Sequence, residues 1–335
     1  MATKPKPKPK PGTKPRRPGS IAGVDLGGTK IQVVAMRGDS VAGSARSLTP
    51  QSGKAGDVIE EIERTLAKAL SEAGIAPAQL KAVGVGSPGE IDHASGAVVH
   101  AANVPGFGER VELGALLSEH LGGVRVAVDN DVSVGVLGEY RLGAGRAFKD
   151  VLGVWLGTGV GGGLILGGEL RSGRGSAGEF GHIVAKPGGR RCGCGNRGCV
   201  EAYAGRASME RRARALVSRG HKTSLFKIME ERGKTRLTSG VYEHALKEGD
   251  PMTRMLLEDA ARAVGIGLAS AQNLVDFEAV IVGGGLGDRL GDPFVRDVVH
   301  HMRHHLFAKD NPPQALTTQL GDLGGAVGAA LAAGA

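Results

Sequence analysis

Short apolar runs recur along the chain, and most are closed by glycine. Residues 21–26 read as a strand, Gly27 and Gly28 as a turn, and residues 31–36 as a second strand. Residues 151–156 repeat the scheme, with 157–163 as the turn and 164–166 beginning the return strand. The repetition predicts two domains of similar construction, each opening on a glycine-turned hairpin. Between the hairpins, Val58, Ile62, Leu66 and Leu70 fall at helical spacing and predict an amphipathic helix over 58–73. Runs at 81–86 and 124–129 have the length of buried strands, and the second leads into a helical pattern over 132–142. Helices are expected at 206–217 and 252–275, a strand at 279–282, and helices near 294–306 and 324–333. Strands alternating with helices define an α/β class built in layers.

With 335 residues, 41% of them hydrophobic, the chain can fill the cores of two ordinary domains. No apolar run reaches the ~20 residues of a membrane span, so no membrane partner is expected. The formal charge of +8 suggests nucleic acid until it is located: it falls to +1 once the seven basic residues of positions 1–20 are set aside. Those residues form a Lys-Pro repeat that cannot bury apolar surface, so 1–19 is expected to be an extended, solvated arm. The arm lacks the apolar core of a secretory leader. It is either a tether for polyanions such as RNA, a membrane surface or polyphosphate, or a solubilising extension. The nearly neutral remainder predicts no specific nucleic-acid partner. Three cysteines without an even-numbered disulfide framework suit a reducing compartment, the cytoplasm.

All three cysteines lie within residues 182–201. His182, Cys192, Cys194 and Cys199 supply the three thiolates and one imidazole of a closed structural zinc site, and glycines 188, 189, 193, 195 and 198 let the backbone wrap a small ion. Buried free thiols or one disulfide form the plainer alternative, although Cys-Gly-Cys in a Gly/Arg loop makes a poor core segment. Three thiolates and Zn2+ sum to one negative charge, which Arg190, Arg191 and Arg197 are placed to offset.

Three glycine loops follow strands: Asp25-Leu-Gly-Gly-Thr-Lys30, Gly157-Thr-Gly-Val-Gly-Gly-Gly163 and Gly283-Gly-Gly285. Such loops cradle phosphates with backbone N–H groups, and three of them suit a nucleotide held between two domains. Gly233-Lys234-Thr235 resembles the end of a P-loop but lacks its leading glycine and strand. Gly157, Gly159 and Gly162 have dinucleotide spacing but lead into a strand, and Gly84, Gly86 and Gly89 have Pro88 in their turn, so neither supports a dehydrogenase. In Val128-Asp-Asn-Asp-Val132 a strand ends where a helix starts, the place where ligands collect in open α/β sheets. There Asn130 or Asp131 serves as a helix cap, or Asp131 as a base whose pKa the helix N-terminus would lower. Glu179 and Glu201 bracket the metal loop and, with His182, are candidates to grip vicinal hydroxyls; otherwise they are solvated acids. Asn103 adds an amide in a Pro-Gly loop.

Together these motifs resemble the ROK family of sugar kinases and repressors, within the actin-like ATPase superfamily, and most closely its bacterial glucokinases. The resemblance spans residues 20–333 and is most specific from Gly157 through Gly175-Ser-Ala-Gly-Glu-Phe-Gly-His182 to Cys-Gly-Cys-Gly-Asn-Arg-Gly-Cys-Val-Glu201. It implies two ribonuclease H-like α/β domains with an active-site cleft between them. The first would cover 20–130, completed by the helix at 324–333, and the second 131–323, carrying the zinc loop 182–201. It further implies that Asp25, Gly27, Gly28, Thr29 and Lys30 form a first phosphate loop, with Asp25 holding Mg2+ through water. Gly157, Thr158 and Gly159 would form the second phosphate loop and Gly283, Gly284 and Gly285 the adenosine loop. Asp131 matches the catalytic base, Asn103, Asn130, Glu179, His182 and Glu201 the sugar ligands, and His182 with Cys192, Cys194 and Cys199 the family's Zn2+ site. The implied reaction moves the ATP γ-phosphoryl group to the 6-hydroxyl of glucose. Kinases for mannose, N-acetylglucosamine, N-acetylmannosamine or fructose share these loops, and some relatives accept polyphosphate. A sugar-responsive repressor needs a helix-turn-helix domain, for which the twenty residues before the first strand are too few. The resemblance also implies a homodimer or tetramer.

Overall fold

The computed structural model describes residues 19–101 and 103–334. The Lys-Pro arm, but for Gly19, therefore lies outside the described residues. Two five-stranded sheets carry the fold. The first is built from β1 (Ser20–Leu26), β2 (Lys30–Arg37), β3 (Ser40–Leu48), β4 (Leu80–Ser87) and a later strand, with a small hairpin of β5 (Glu90–Asp92) and β6 (Ala97–Val99) following β4. β7 (Arg125–Asn130) completes it in the order β3-β2-β1-β4-β7. The second sheet contains β8 (Val151–Leu156), β9 (Val160–Leu166), β10 (Glu169–Leu170), β11 (Ala279–Gly283) and β12 (Gln314–Thr317), in the order β10-β9-β8-β11-β12. In each, three strands form an antiparallel meander and the other two join it in parallel. The glycine-turned hairpins at 21–36 and 151–166 are thus equivalent halves of one repeated topology.

Among the described residues ten α-helices pack around the sheets: α1 (Ala55–Glu72), α2 (Leu113–His120), α3 (Asp131–Leu142), α4 (Glu201–Ala204), α5 (Arg206–Val217), α6 (Leu225–Glu231), α7 (Ser239–Lys247), α8 (Pro251–Val275), α9 (Gly284–Arg303) and α10 (Gly324–Gly334). On α1 the expected stripe of Val58, Ile62, Leu66 and Leu70 is buried against β2 and β3. α10 is almost entirely glycine and alanine, and it wedges between the first sheet and α3. The strands beneath it are cut away to admit its backbone. A Cβ on Gly23 would stand 1.9 Å from Ala326 O, and one on Gly84 1.7 Å from Ala329 O. Each sheet has its own buried cluster, one around Val24, Ile31, Ile62 and Leu66, the other around Leu156, Phe180, Tyr242 and Leu256.

The chain departs from expectation where apolar signal is thin. β3 is an edge strand of mostly small and polar residues, and β12 is a short edge strand; neither shows the dense run of a central strand. The helix expected near 294–306 begins ten residues earlier, because Gly284, Gly285, Gly287 and Gly291 mask the helical pattern. Gly291 (φ +56°, ψ −151°) breaks α9 ahead of Pro293, so the element is two helical pieces. No helix among the described residues is long and apolar enough to cross a membrane.

Candidate active site and metal centre

β7 delivers Asp129 and Asn130 to its C-terminal end, where α3 begins with Asp131. Asn130 is the helix cap: its Oδ1 accepts from Val132 N at 3.0 Å and Ser133 N at 3.2 Å, an arrangement worth about 1 kcal/mol. Its amide nitrogen makes no hydrogen bond among the described residues. Asp131 accepts from Val132 N at 3.0 Å, yet its pKa is pushed up to about 6. Burial is the main cause, the negative charge of Asp25 adds to it, and the N–H groups at the helix start oppose both without winning. The lowering expected from the helix N-terminus is therefore reversed. Asp25, at the end of β1, is also raised by burial, with Lys30 opposing and Asp322 reinforcing. Among the described residues no hydrogen bond reaches its carboxylate, and Lys30 reaches outward to Asp322 at 3.6 Å.

A cavity of about 320 Å³ opens beside this junction, at the small end of the usual range for ligand pockets. One wall comes from the first half of the chain, with Gly89, Glu90, His93, Asp129, Asn130 and Ser133; the other comes from Gly162, Ser172, Ser176, Glu179 and His182. Asn130, Glu179 and His182 are thus brought together. Asp131, Asn103 and Glu201 do not line this cavity. Asn103 is exposed and presses its backbone carbonyl against Gly28. Glu201 opens α4 and sits between the metal loop and the β8–β9 turn, accepting from Val160 N at 3.1 Å and standing 3.5 Å from Cys192 Sγ. His93 and Ser133 carried no sequence signal. His93 reaches the cavity only because the β5–β6 hairpin folds it to within 4.0 Å of Asp129, whose pKa burial raises and His93 lowers.

The two remaining glycine loops meet at one end of the second sheet. Gly157 N donates to Gly159 O at 2.9 Å, closing the β8–β9 turn, and Thr158 stays exposed. Gly283 ends β11 and caps α9, and Gly284 (φ +78°) lies against β8, where a Cβ would stand 2.7 Å from Leu156 N. No other residue type fits that position without moving a strand. In the first sheet, the turn at Gly27 and Gly28 is tied to Thr49, whose hydroxyl donates to Gly27 O at 2.6 Å; Thr29 is exposed beside it.

In the metal loop the donor atoms of His182, Cys192, Cys194 and Cys199 all lie within 4.8 Å of one another. Cys194 Sγ and Cys199 Sγ are 3.8 Å apart, and Cys192 Sγ is 3.9 Å from His182 Nδ1. Tetrahedral zinc with Zn–S bonds near 2.3 Å would space its thiolates by about 3.8 Å, so the set fits a zinc ion. A disulfide does not form: all three thiols are free. His182 turns its Nε2 the other way, 3.8 Å from Glu179 Oε2 and toward the cavity. Arg190, one of the cations placed to offset the thiolates, is instead paired with Asp259 and stacked 4.6 Å over Tyr203.

The model of the ROK family matches residues 21–335. A glucokinase of Streptomyces coelicolor is 32% identical over 321 residues, covering 93% of this chain and 96% of that protein. A glucokinase of Thermotoga maritima is 34% identical, covering 84% and 88%. The solved structure of a ROK family glucokinase from Streptomyces griseus, in complex with glucose and AMPPNP, superimposes with a TM-score of 0.77 at 34% identity over 94% of this chain and 99% of that one. The repeated pair of sheets is accordingly the actin-like ATPase fold.

Proposed function

The chain belongs to the ROK family, and from that premise we propose that it is an ATP-dependent glucokinase acting in the cytoplasm, forming glucose 6-phosphate. One observation carries the reading: Asn130, at the strand-to-helix junction where Asp131 adjoins Asp25, faces across a sugar-sized cavity a histidine whose other nitrogen lies among three thiols. The first domain is residues 20–130 together with α10, the second residues 131–323, and the cavity lies in the cleft between them.

Glucose binds with hydroxyls on the Asn130 amide, Glu179 and His182 Nε2; closure of the cleft brings Asn103 and Glu201 to it and excludes water, the competing acceptor. Asp131 orients the 6-hydroxyl. As the 6-oxygen bonds to the γ-phosphorus and the bond to the ADP oxygen breaks, the hydroxyl proton passes to the Asp131 carboxylate. Phosphoryl transfer asks for positioning and late proton acceptance, so a carboxylate ionised above about pH 6 suffices. The N–H groups of the turns at Gly27–Lys30 and 157–159 hold the phosphates, and the loop at 283–285 holds the nucleoside.

Asp25, half-buried, without a hydrogen bond among the described residues and next to a second carboxylate, is the group to hold Mg2+, which when bound neutralises phosphate charge. His182, Cys192, Cys194 and Cys199 hold Zn2+, which fixes the tautomer and aim of His182. The protein works as a homo-oligomer. A coupled assay over glucose, mannose, fructose, N-acetylglucosamine and N-acetylmannosamine, with ATP and with polyphosphate, tests the reading. Glucose with ATP is expected to give the highest kcat/KM, and preference for another sugar or for polyphosphate would replace it.

A further inference from the structure

Two buried polar atoms beside the glycine loops of the second sheet have no partner among the described residues: Arg206 Nε and Ser239 Oγ. Both stand beside those loops, at the start of a helix. Arg206 opens α5, where its backbone N–H donates to Gly157 O at 3.2 Å and its Nη2 to Thr158 Oγ1 at 3.2 Å. Ser239, 5% exposed, opens α7, and its Oγ lies 3.3 Å from where a Cβ on Gly285 would stand. Tyr242, one turn further along α7, donates its hydroxyl to the Arg206 carbonyl at 3.4 Å and ties the two helices together.

Leaving a buried donor unmatched is destabilising, so two beside these glycine loops are most simply explained by a ligand that completes them. Charge points the same way. No carboxylate among the described residues pairs with Arg206; Glu210, one turn along α5, is taken by Arg214 and Arg236. Burial and the charge of Arg236 lower the Arg206 pKa, but a guanidinium stays ionised and so presents an uncompensated cation to the turn at 157–159. α7 and α9 start without a side-chain cap, adding helix N-termini that favour an anion.

We propose that Arg206 and Ser239 hold the phosphoryl donor, Arg206 gripping the phosphate chain at Thr158 and Ser239 the nucleoside end at Gly285, so that the pair selects a nucleoside triphosphate over bare polyphosphate. The assignment rests on the kinase reading and adds to it the donor class and two donor ligands. Arg206→Met, Arg206→Lys and Ser239→Ala are compared with wild type for KM of ATP, tripolyphosphate and glucose, and for direct binding of a non-hydrolysable ATP analogue. A charge-assisted contact of ~1.5–3 kcal/mol predicts at least about a tenfold loss of ATP-analogue affinity in Arg206→Met. The glucose KM stays within about twofold, and Arg206→Lys recovers part of the loss because the charge returns without the planar fork. Ser239→Ala weakens ATP by about three- to tenfold and leaves tripolyphosphate unchanged. An ATP-analogue affinity within about twofold of wild type in both Arg206 variants overturns the phosphate assignment, and equal losses for ATP and tripolyphosphate in Ser239→Ala overturn the nucleoside assignment. Arg206→Lys and Ser239→Ala keep the test decisive if Arg206→Met fails to fold. A wild-type protein that binds no nucleoside triphosphate overturns the kinase reading as well, which separates the two failures.

Discussion

The two sheets share one strand order, yet equivalent positions in them carry different chemistry. Two residues ahead of the glycine turn, the first sheet has Asp25 and the second Trp155. At the end of the outer parallel strand the first has Asn130 and Asp131, the second Thr317 and Thr318. Burial raises the pKa of both Asp25 and Asp131, and the charge of Asp25 adds to the shift of Asp131, whereas Trp155 packs against Gly135 and Gly283, and Thr318 donates to Asp288 at 2.6 Å. A duplicated topology therefore supplies two glycine turns but, at these positions, one acid pair. The acids gather where the first sheet ends and α3 begins, whereas the Cys/His loop follows the strands of the second sheet.

That division can be broken in several places. Asp131→Ala should lower kcat by about 10³-fold or more while leaving glucose affinity within a few fold, because the base is lost and the sugar ligands are not. Asp25→Asn should lower kcat by about 10²-fold, and its remaining activity should keep an acid limb displaced to lower pH, since the negative charge that raises the Asp131 pKa is gone. In the wild type, kcat/KM should rise with pH through an apparent value near 6, which belongs to the coupled pair. Zinc removal by chelation should raise the glucose KM by about tenfold with little change in kcat; an unchanged KM would uncouple the metal from the sugar.

Smaller effects concern stability. The folded pKa of Asp131 lies above its ordinary 3.8, so ionising it opposes folding: the penalty is absent below that value and complete above about 6. Asp131→Asn should therefore raise Tm at pH 8 by about 2–4 °C, with the gain fading as pH falls toward 4. Asn130→Ala should cost about 1 kcal/mol through the lost cap. Trp155→Phe, at the position matching Asp25, should leave kcat within about threefold, since it fills space and touches no reacting atom.

Much of this was legible in the sequence, for identifiable reasons. Glycine turns between dense apolar runs exposed the repeated hairpins, and the clustering of all three cysteines with His182 exposed the candidate metal site, because local spacing alone brings those atoms together. β3, β12 and the first half of α9 were hidden by weak polarity contrast and by glycine. The direction of the Asp131 pKa was also out of reach, since it depends on burial and on Asp25, a residue over a hundred positions away. His93, Arg206 and Ser239 lie outside any motif and reach their sites only through tertiary packing. Asn103 and Glu201, although implied by resemblance, stand off the cavity, so their role depends on closure of the cleft.

Trp155, the single tryptophan, packs where α3 meets the second sheet, and its fluorescence is the readout for sugar binding. Titrating Asp131→Asn with glucose by Trp155 fluorescence, alongside ATP-dependent turnover, should give a saturable signal with Kd within about threefold of wild type and turnover reduced about 10³-fold or more. Turnover near the wild-type level would contradict the assignment of the proton-accepting role to Asp131.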